Sequence, residues 1–176
     1  MPVPVVIALG SNLGNRALQL RRAIDELRRT ISLVRVSAIF ETAAAGMPAG
    51  SPPFLNMVAA GHTALPAEDL LDALHAIEAR LGRRRSTRNA SRTIDLDLIL
   101  YDEFVMTTTD LALPDPGIPK RPFLAIPLHE LAPGLILPGS GLHIKEVAAS
   151  LTPNTMEPLE TYTEHLRKEY LHERKQ

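Results

Sequence analysis

Two aspartates within an apolar run are the residues of this 176-residue chain best suited to chemistry. Asp95 and Asp97 lie in residues 92–100, where apolar and polar side chains alternate as in a half-buried β-strand. Residues two apart share one strand face, so both carboxylates would point the same way, roughly 7 Å apart. The apolar side chains of the opposite face would be Ile94, Leu96, Leu98 and Leu100.

A carboxylate pair on a rigid strand suits a hard divalent cation. Mg²⁺ prefers one or two carboxylates and fills its remaining positions with water and phosphate oxygens. The alternative is a half-exposed strand with a polar face, although aspartate is depleted in strands and two in register are unusual. On the strand alone, both interpretations stand.

A run of arginines directly precedes the aspartates. Residues 79–94 contain no acid, and their arginines are Arg80, Arg83, Arg84, Arg85, Arg88 and Arg92. A guanidinium presents a fixed fork of donors that matches phosphate oxygens, so arginines beside a carboxylate pair indicate a site for a polyphosphate–Mg²⁺ complex. The alternatives are a solvated loop and a nucleic-acid site. Two nearby aspartates and the lack of stacking aromatics weigh against RNA.

Two short segments could bind a flat heterocycle. Phe54 and Asn56 lie in one, and Phe123 lies in the other, two residues after Arg121. An asparagine offers a donor and an acceptor together, which suits a ring with an amide edge, and two phenylalanine rings could sandwich that ring. On composition alone, both phenylalanines are more often ordinary core residues.

The elements that must position these residues alternate in a recognisable order. The patterns predict strands over residues 5–9, 31–40, 54–62 and 93–101, and helices over 16–30 and 66–81. This βαββαβ order is the ferredoxin-like split βαβ arrangement, an α+β fold with a four-stranded antiparallel sheet. We expect both helices on one sheet face and the aspartates on the other, facing loops 43–53 and 83–92, which would serve as lids.

Composition restricts the class of protein. The chain is 45% hydrophobic with a formal net charge of −1, which indicates a globular fold and argues against a generally basic nucleic-acid-binding protein. It has no cysteine, which excludes disulfides and thiolate metal sites, and no apolar run of the ~18 residues that a membrane helix needs. We expect a monomeric, cytoplasmic protein with one domain over residues 1–150. After two short helices near 121–131 and 144–150, residues 151–176 would be a charged tail, either a solvated helix or frayed.

Taken together, these segments resemble the 6-hydroxymethyl-7,8-dihydropterin pyrophosphokinase family of folate biosynthesis. The run Arg-Thr-x-Asp-Leu-Asp at residues 92–97 is specific to that family, and the resemblance covers about residues 4 to 140. The other segments that carry it are residues 8–14, 40–42, 54–56, 77–83, 121–123 and 127–133. The resemblance implies transfer of the terminal pyrophosphoryl group of ATP to the pterin's hydroxymethyl oxygen, with release of AMP.

The resemblance also implies roles for individual residues. Two Mg²⁺ ions would bind Asp95 and Asp97, and these aspartates would be catalytic together with Arg83 and Arg92. The pterin-binding residues would be Thr42, Ala43, Ala45, Phe54, Asn56 and Phe123. The ATP-binding residues would be Leu71, His75, Glu78, Arg83, Arg85, Arg92, Ile99 and Arg121.

The sequence departs from the family pattern on the nucleotide side. It has Asp115 after Pro114 where the family usually has histidine, and Asn89-Ala90-Ser91 where Trp-Gly-Pro is frequent. The alternative function is therefore a diverged relative that binds a pterin but uses the nucleotide weakly or differently.

Overall fold

The structure, a computed structural model, describes residues 1–44, 46–83, 91–151 and 156–172. The helices of this part are α1 (Arg16–Thr30), α2 (Ala67–Arg80), α3 (Pro122–Leu131), α4 (Ile144–Ser150) and α5 (Glu160–His172). The strands are β1 (Val3–Ser11), β2 (Ser32–Val36), β3 (Phe40–Thr42), β4 (Phe54–Thr63), β5 (Asp95–Tyr101), β6 (Met106–Thr107), β7 (Ala112–Leu113) and β8 (Met156–Pro158). The fold is mixed α/β with an antiparallel sheet, as the sequence predicted.

Helices α1 and α2 form where local signals predict them. The Asn15 side chain accepts a hydrogen bond from the backbone N–H of Leu18, 3.1 Å away, and so satisfies one of the free donors at the start of α1. Glu68 and Asp69 complement the dipole at the start of α2. Beyond its last turn, Gly82 adopts the left-handed conformation with φ of 86°, which closes the helix.

The long strand β4 organises the main sheet. One of its edges pairs with β1 and the other with both β3 and β2, and the sheet has the order β5-β1-β4-β3-β8 with β2 also on β4. The expectation of four strands is therefore wrong, because the predicted strand over 31–40 is two strands and β8 adds another. The break falls at Ser37, whose hydroxyl accepts the N–H of Val58 in place of a backbone carbonyl.

Strand β5 has the predicted alternation of apolar and polar side chains over most of its length, but not at its end. Leu96 and Leu98 face the core beneath α1 and α2, as expected. Leu100 instead belongs to the core on the opposite sheet face, because the register shifts between Val6 and Ile7 of β1 and leaves Ile99 as an extra residue. A β-bulge of this kind turns the following side chains to the other face.

The two faces of the sheet are covered differently. On the first face, α1 and α2 bury leucines and isoleucines such as Leu20 and Leu74, each of which contributes about 2 kcal/mol by leaving water. On the second face, α3 and α4 cover only the half that carries Val58 and Ile99. The other half of this face carries Asp97 and the residues of the candidate site, so the helices leave it accessible.

The C-terminal segment is more closely packed than a solvated tail. β8 pairs with β3, and on α5 both Thr163 and Leu166 are buried. The helical alternative for this segment agrees with α5, while the domain division at residue 150 stays a prediction. Within the described residues, no helix is long and apolar enough to cross a membrane.

Candidate active site

Asp95 lies between two arginines at the start of β5. Its Oδ1 accepts a hydrogen bond from Arg83 at 2.6 Å, and its Oδ2 accepts one from Arg92 at 2.5 Å. The left-handed turn at Gly82 brings Arg83 back to this point after α2 ends. The aspartate and two of the arginines that the sequence singled out separately therefore meet in one cluster.

Glu78 supports this cluster from the last turn of α2. Its buried carboxylate accepts hydrogen bonds from the Arg83 guanidinium and, at 2.7 Å, from the backbone N–H of Leu96. Burial raises the pKa of Glu78, and these two donors offset only part of the loss of water. The charges of Asp95 and Glu78 outweigh burial at Arg83 and raise the pKa of its guanidinium, so Arg83 stays charged.

Asp97, two residues along the strand, has a different environment. Desolvation and the negative charge of Asp95 raise the pKa of Asp97 to about 7. Asp115 and Glu78 add to the repulsion, and Arg83 opposes it. A cation bound beside Asp97 would relieve this repulsion by its opposite charge.

Asp115 is a site residue that the sequence interpretation treated only as a departure from the family. Its N–H donates to the carbonyl of Ile99 at 2.9 Å, and its Oδ1 accepts the N–H of Gly117 at 2.6 Å. These bonds fix the carboxylate near enough to Asp97 to affect its pKa. The predicted nucleotide side therefore carries more negative charge than the two strand aspartates alone would give it.

Asp95 and Asp97 on β5 are a carboxylate pair of the kind that suits Mg²⁺, and their role as metal ligands stays a prediction. The described residues contain no cluster of three or more histidine, cysteine or acidic side chains arranged to hold a metal. A site with two protein carboxylates suits Mg²⁺, which takes its other ligands from water and phosphate. The excess negative charge around Asp97 agrees with a cation at this position.

The predicted pterin side is built from neutral groups. Asn56 of β4 is buried, and its Nδ2 donates to the hydroxyl of Thr42 on β3 at 2.7 Å. A Cβ added to Gly10 would lie 2.9 Å from the Oδ1 of Asn56, so a larger residue at position 10 would push this amide aside. The structure thus brings Thr42 and Asn56 together and holds the amide in one orientation.

Phe54 and Phe123, the two rings predicted to cover the faces of the pterin, lie on the same side of the sheet. Phe54 is partly buried, and its ring approaches the backbone at Gly10. Phe123 is also partly buried, packs against the core under α3, and has the guanidinium of Arg121 5.9 Å from its ring centroid. The two phenylalanines make no ring contact with each other among the described residues, so their role as a clamp stays a prediction.

Asn12 is a residue that the sequence analysis missed. It is buried, and its Nδ2 donates to the carbonyl of Pro52 at 3.2 Å and to the hydroxyl of Ser91 at 3.1 Å. Its Oδ1 accepts the N–H of Arg92 at 2.8 Å. Asn12 therefore joins the end of the loop over 43–53 to the end of the loop over 83–92, and only long-range contacts reveal this.

The other candidate residues differ in how accessible their side chains are and in what they contact. Ala43 and His75 are exposed and Leu71 is partly buried, all consistent with surface positions beside a ligand. Ile99 is fully buried in the core under α3, so its side chain is not available to ATP. Arg80 points to α1 and binds Glu26 at 2.8 Å, outside the cluster. Ala45 and Arg85 lie outside the described residues.

Comparisons with known proteins bear on this site. The family model for 7,8-dihydro-6-hydroxymethylpterin-pyrophosphokinase matches residues 6–133. A 2-amino-4-hydroxy-6-hydroxymethyldihydropteridine pyrophosphokinase of Pseudomonas aeruginosa is 42% identical over 148 residues, which cover 83% of this chain and 90% of that protein. A protein of the same name from Aquifex aeolicus is 32% identical over 154 residues, which cover 88% and 94% of the two chains.

Solved structures show the same fold at much lower identity. The wild-type HPPK-DHPS of Plasmodium falciparum superimposes with a TM-score of 0.71 at 11% identity, over 85% of this chain. The matched part is 45% of that chain, so this protein spans less than half of its length. The family model and both relatives cover the segment that carries the aspartates and arginines, and the chain belongs to the 7,8-dihydro-6-hydroxymethylpterin-pyrophosphokinase family.

Proposed function

We propose that the Asp95–Asp97 strand and the arginines around it perform the reaction of this family. In that reaction, a pyrophosphoryl group passes from ATP to the hydroxymethyl oxygen of 6-hydroxymethyl-7,8-dihydropterin, and AMP leaves. The observation that supports these roles most strongly is the contact of both Arg83 and Arg92 with the carboxylate of Asp95. Cation-binding and phosphate-binding groups thus lie within hydrogen-bond distance of one another.

The nucleotide side would act through charge and position. Asp95 and Asp97 would hold two Mg²⁺ ions, which when bound neutralise charge on the polyphosphate. Arg83 and Arg92 would then turn from Asp95 to the phosphate oxygens and orient the transferred group. Glu78 keeps Arg83 charged and close to β5, which agrees with its predicted place beside the nucleotide. Transfer of this kind needs positioning and charge stabilisation and requires no nucleophile from the protein.

The pterin side would act through shape and neutral hydrogen bonds. Asn56 and Thr42 would read the amide edge of the ring, and Phe54 and Phe123 would cover its two faces. The contact of Asn56 with Thr42 supports this role, since it places the two polar groups side by side before any ligand arrives. The hydroxymethyl group would then point across β1 toward Asp95 and Asp97 on β5.

The other functions considered receive less support. Relatives up to 42% identical carry the pyrophosphokinase name, which does not favour a diverged relative with altered nucleotide use. The family match and the names of these relatives likewise do not favour an RNA-binding role.

We also infer the layout of the sheet, the oligomeric state, the cellular location and the bounds of the domain. The order β5-β1-β4-β2, with α1 and α2 on one face, supports a ferredoxin-like core to which β3 and β8 are added. The proposal also includes a monomeric chain, a cytoplasmic location, and a catalytic domain over residues 1–150, against which β8 and α5 pack. Sedimentation of the purified chain would test the monomer.

The activity is tested by measuring AMP release from ATP with hydroxymethyldihydropterin and Mg²⁺. We expect AMP to form in step with the pterin product, and to stop when either the pterin or Mg²⁺ is left out. Release of AMP at the same rate without pterin, or formation of ADP instead, would contradict the proposed reaction.

A further inference from the structure

The strand that carries Thr42 has little structure of its own. β3 has three residues, Phe40–Thr42, and pairs on one side with β4. On its other side it pairs antiparallel with β8, with Thr42 opposite Met156 and Phe40 opposite Pro158. Without β8, this short strand would be an open edge beside the predicted pterin site. An edge of three residues has few hydrogen bonds to hold it in place.

Helix α5 holds the residue that leads into β3. The backbone N–H of Ile39 donates to the hydroxyl oxygen of Thr163 at 3.0 Å, and the carbonyl of Ile39 accepts the N–H of Leu159 at 2.8 Å. Thr163 is 1% exposed, and Leu166 one turn later belongs to the core under α1 and α2. The backbone of Ile39 is therefore satisfied entirely by the C-terminal segment.

A second connection comes from α3. The Oε2 of Glu130 accepts the N–H of Ala38 at 2.8 Å, and its Oε1 accepts Arg167 of α5 at 2.5 Å. One glutamate thus ties the start of β3 to both α3 and α5. This ion pair is partly exposed, so its own contribution to stability is small, and the buried Thr163 is the stronger contact.

This packing belongs to a part of the chain outside the family match. The family model ends at residue 133, whereas β8 and α5 lie at 156–172. The segment is therefore an addition to the matched region that reaches back to one of the strands of the predicted site.

We propose that residues 156–172 act as a strap that positions β3, and with it Thr42 and Asn56, for the pterin, with Thr163 as the principal positioning residue. The proposal rests on the pterin-binding role given above to Thr42 and Asn56. It assigns the strap to the pterin side only, because none of its described contacts reaches Asp95, Arg83 or Arg92.

The test compares Thr163→Val with Thr163→Ser in the full chain. Valine keeps the shape but cannot accept the N–H of Ile39, whereas serine keeps the hydroxyl. We expect Thr163→Val to raise the KM for the pterin about fivefold, with the KM for ATP within twofold of wild type. Thr163→Ser should restore the wild-type value. Lys168→Ala, at an exposed position of the same helix, is the matched control.

Amide hydrogen exchange gives a readout that does not depend on activity. Residues 38–42 should exchange faster in Thr163→Val than in wild type or Lys168→Ala, and deletion of residues 152–176 should enlarge this effect. An unchanged pterin KM and unchanged exchange in Thr163→Val would overturn the strap, whether or not the deleted chain folds. Absence of pterin-dependent AMP release in the wild type would instead overturn the proposed function, and the exchange result would still decide the structural role.

Discussion

The two halves of the candidate site are built in opposite ways. The proposed nucleotide half consists of charges: Asp95 is bound by Arg83 and Arg92, and Asp97 lies in an excess of negative charge. The proposed pterin half consists of neutral groups, in which the Nδ2 of Asn56 already donates to the hydroxyl of Thr42. The first half must exchange its partners when ligands arrive, while the second is already arranged.

The contrast between a charged half and a neutral half predicts which substrate a variant in each half should affect. Removing one member of a partly buried charge cluster leaves its partners uncompensated, so the effect spreads through the cluster. Removing a neutral hydrogen-bonding group in a preformed pocket affects mainly the ligand that it binds. The two halves can therefore be separated by which substrate a variant affects.

The largest effect is expected for the strand aspartates. Asp95→Ala and Asp97→Ala should each lower kcat/KM for pyrophosphoryl transfer about 10³-fold, since several kcal/mol of charge stabilisation by the metal would be lost. AMP release measured over a range of Mg²⁺ concentrations checks this. Asp110→Ala, an exposed aspartate on the β6–β7 hairpin, should retain wild-type activity. Full activity in either site variant would remove the metal assignment.

Asn56→Ala should act on the pterin half alone. The KM for hydroxymethyldihydropterin should rise about 30-fold, because the ring would lose hydrogen bonds worth about 2 kcal/mol. The KM for ATP should stay within twofold, and steady-state kinetics with each substrate varied in turn measure both. Gly10→Ala should also raise the KM for hydroxymethyldihydropterin, since its Cβ would displace the Asn56 amide. An equal rise in both KM values would contradict the separation.

Asn12→Ala should be the variant that affects both halves. Its amide joins Pro52 to Ser91 and Arg92, so its loss frees the ends of both loops. We expect each KM to rise about tenfold, with the folded structure kept as judged by circular dichroism. An effect on one substrate only would show that Asn12 does not connect the loops functionally.

Asp115→Asn should improve nucleotide binding modestly. The substitution removes a negative charge near Asp97 and keeps the acceptor for the N–H of Gly117. The affinity for MgATP should rise about threefold at low ionic strength and less at high salt. Calorimetric titration at two salt concentrations measures this, and weaker binding in the variant would show that Asp115 helps to hold the metal.

The smallest effect concerns stability and pH. In the folded protein Asp97 has a pKa of about 7, above its ordinary value of 3.8, so the folded state holds a proton that the unfolded state releases. Stability contributed by this proton is therefore lost as pH rises from about 4 to 7. Asp97→Asn should unfold at a Tm about 3 °C higher than wild type at pH 8 in EDTA. The shift is small because solvent screens the charges around this exposed residue. The difference should vanish at pH 4, and a lower Tm at pH 8 would contradict the repulsion.

The sequence could predict the features that depend on residues close together along the chain, and it could not predict those that depend on distant partners. The helices, β1 and the aspartate strand depend on local patterns, and Asp95, Arg83 and Arg92 lie close along the chain. The break at Ser37 depends on Val58 and Glu130, and the contacts of Asn12 lie 40 and 80 residues away. The bulge at Ile99 and the packing of Thr163 likewise depend on distant partners, so no local pattern indicated them.

A double-mutant cycle of Arg92→Ala and Asn56→Ala tests the division of the site most directly. The measurement is kcat/KM for AMP release in the wild type, the two single variants and the double variant. If the halves act independently, the two losses should add on a logarithmic scale to within about 0.5 kcal/mol. A coupling energy well above about 1 kcal/mol would contradict the division, since it would mean that Arg92 and Asn56 act on the same part of the substrate complex.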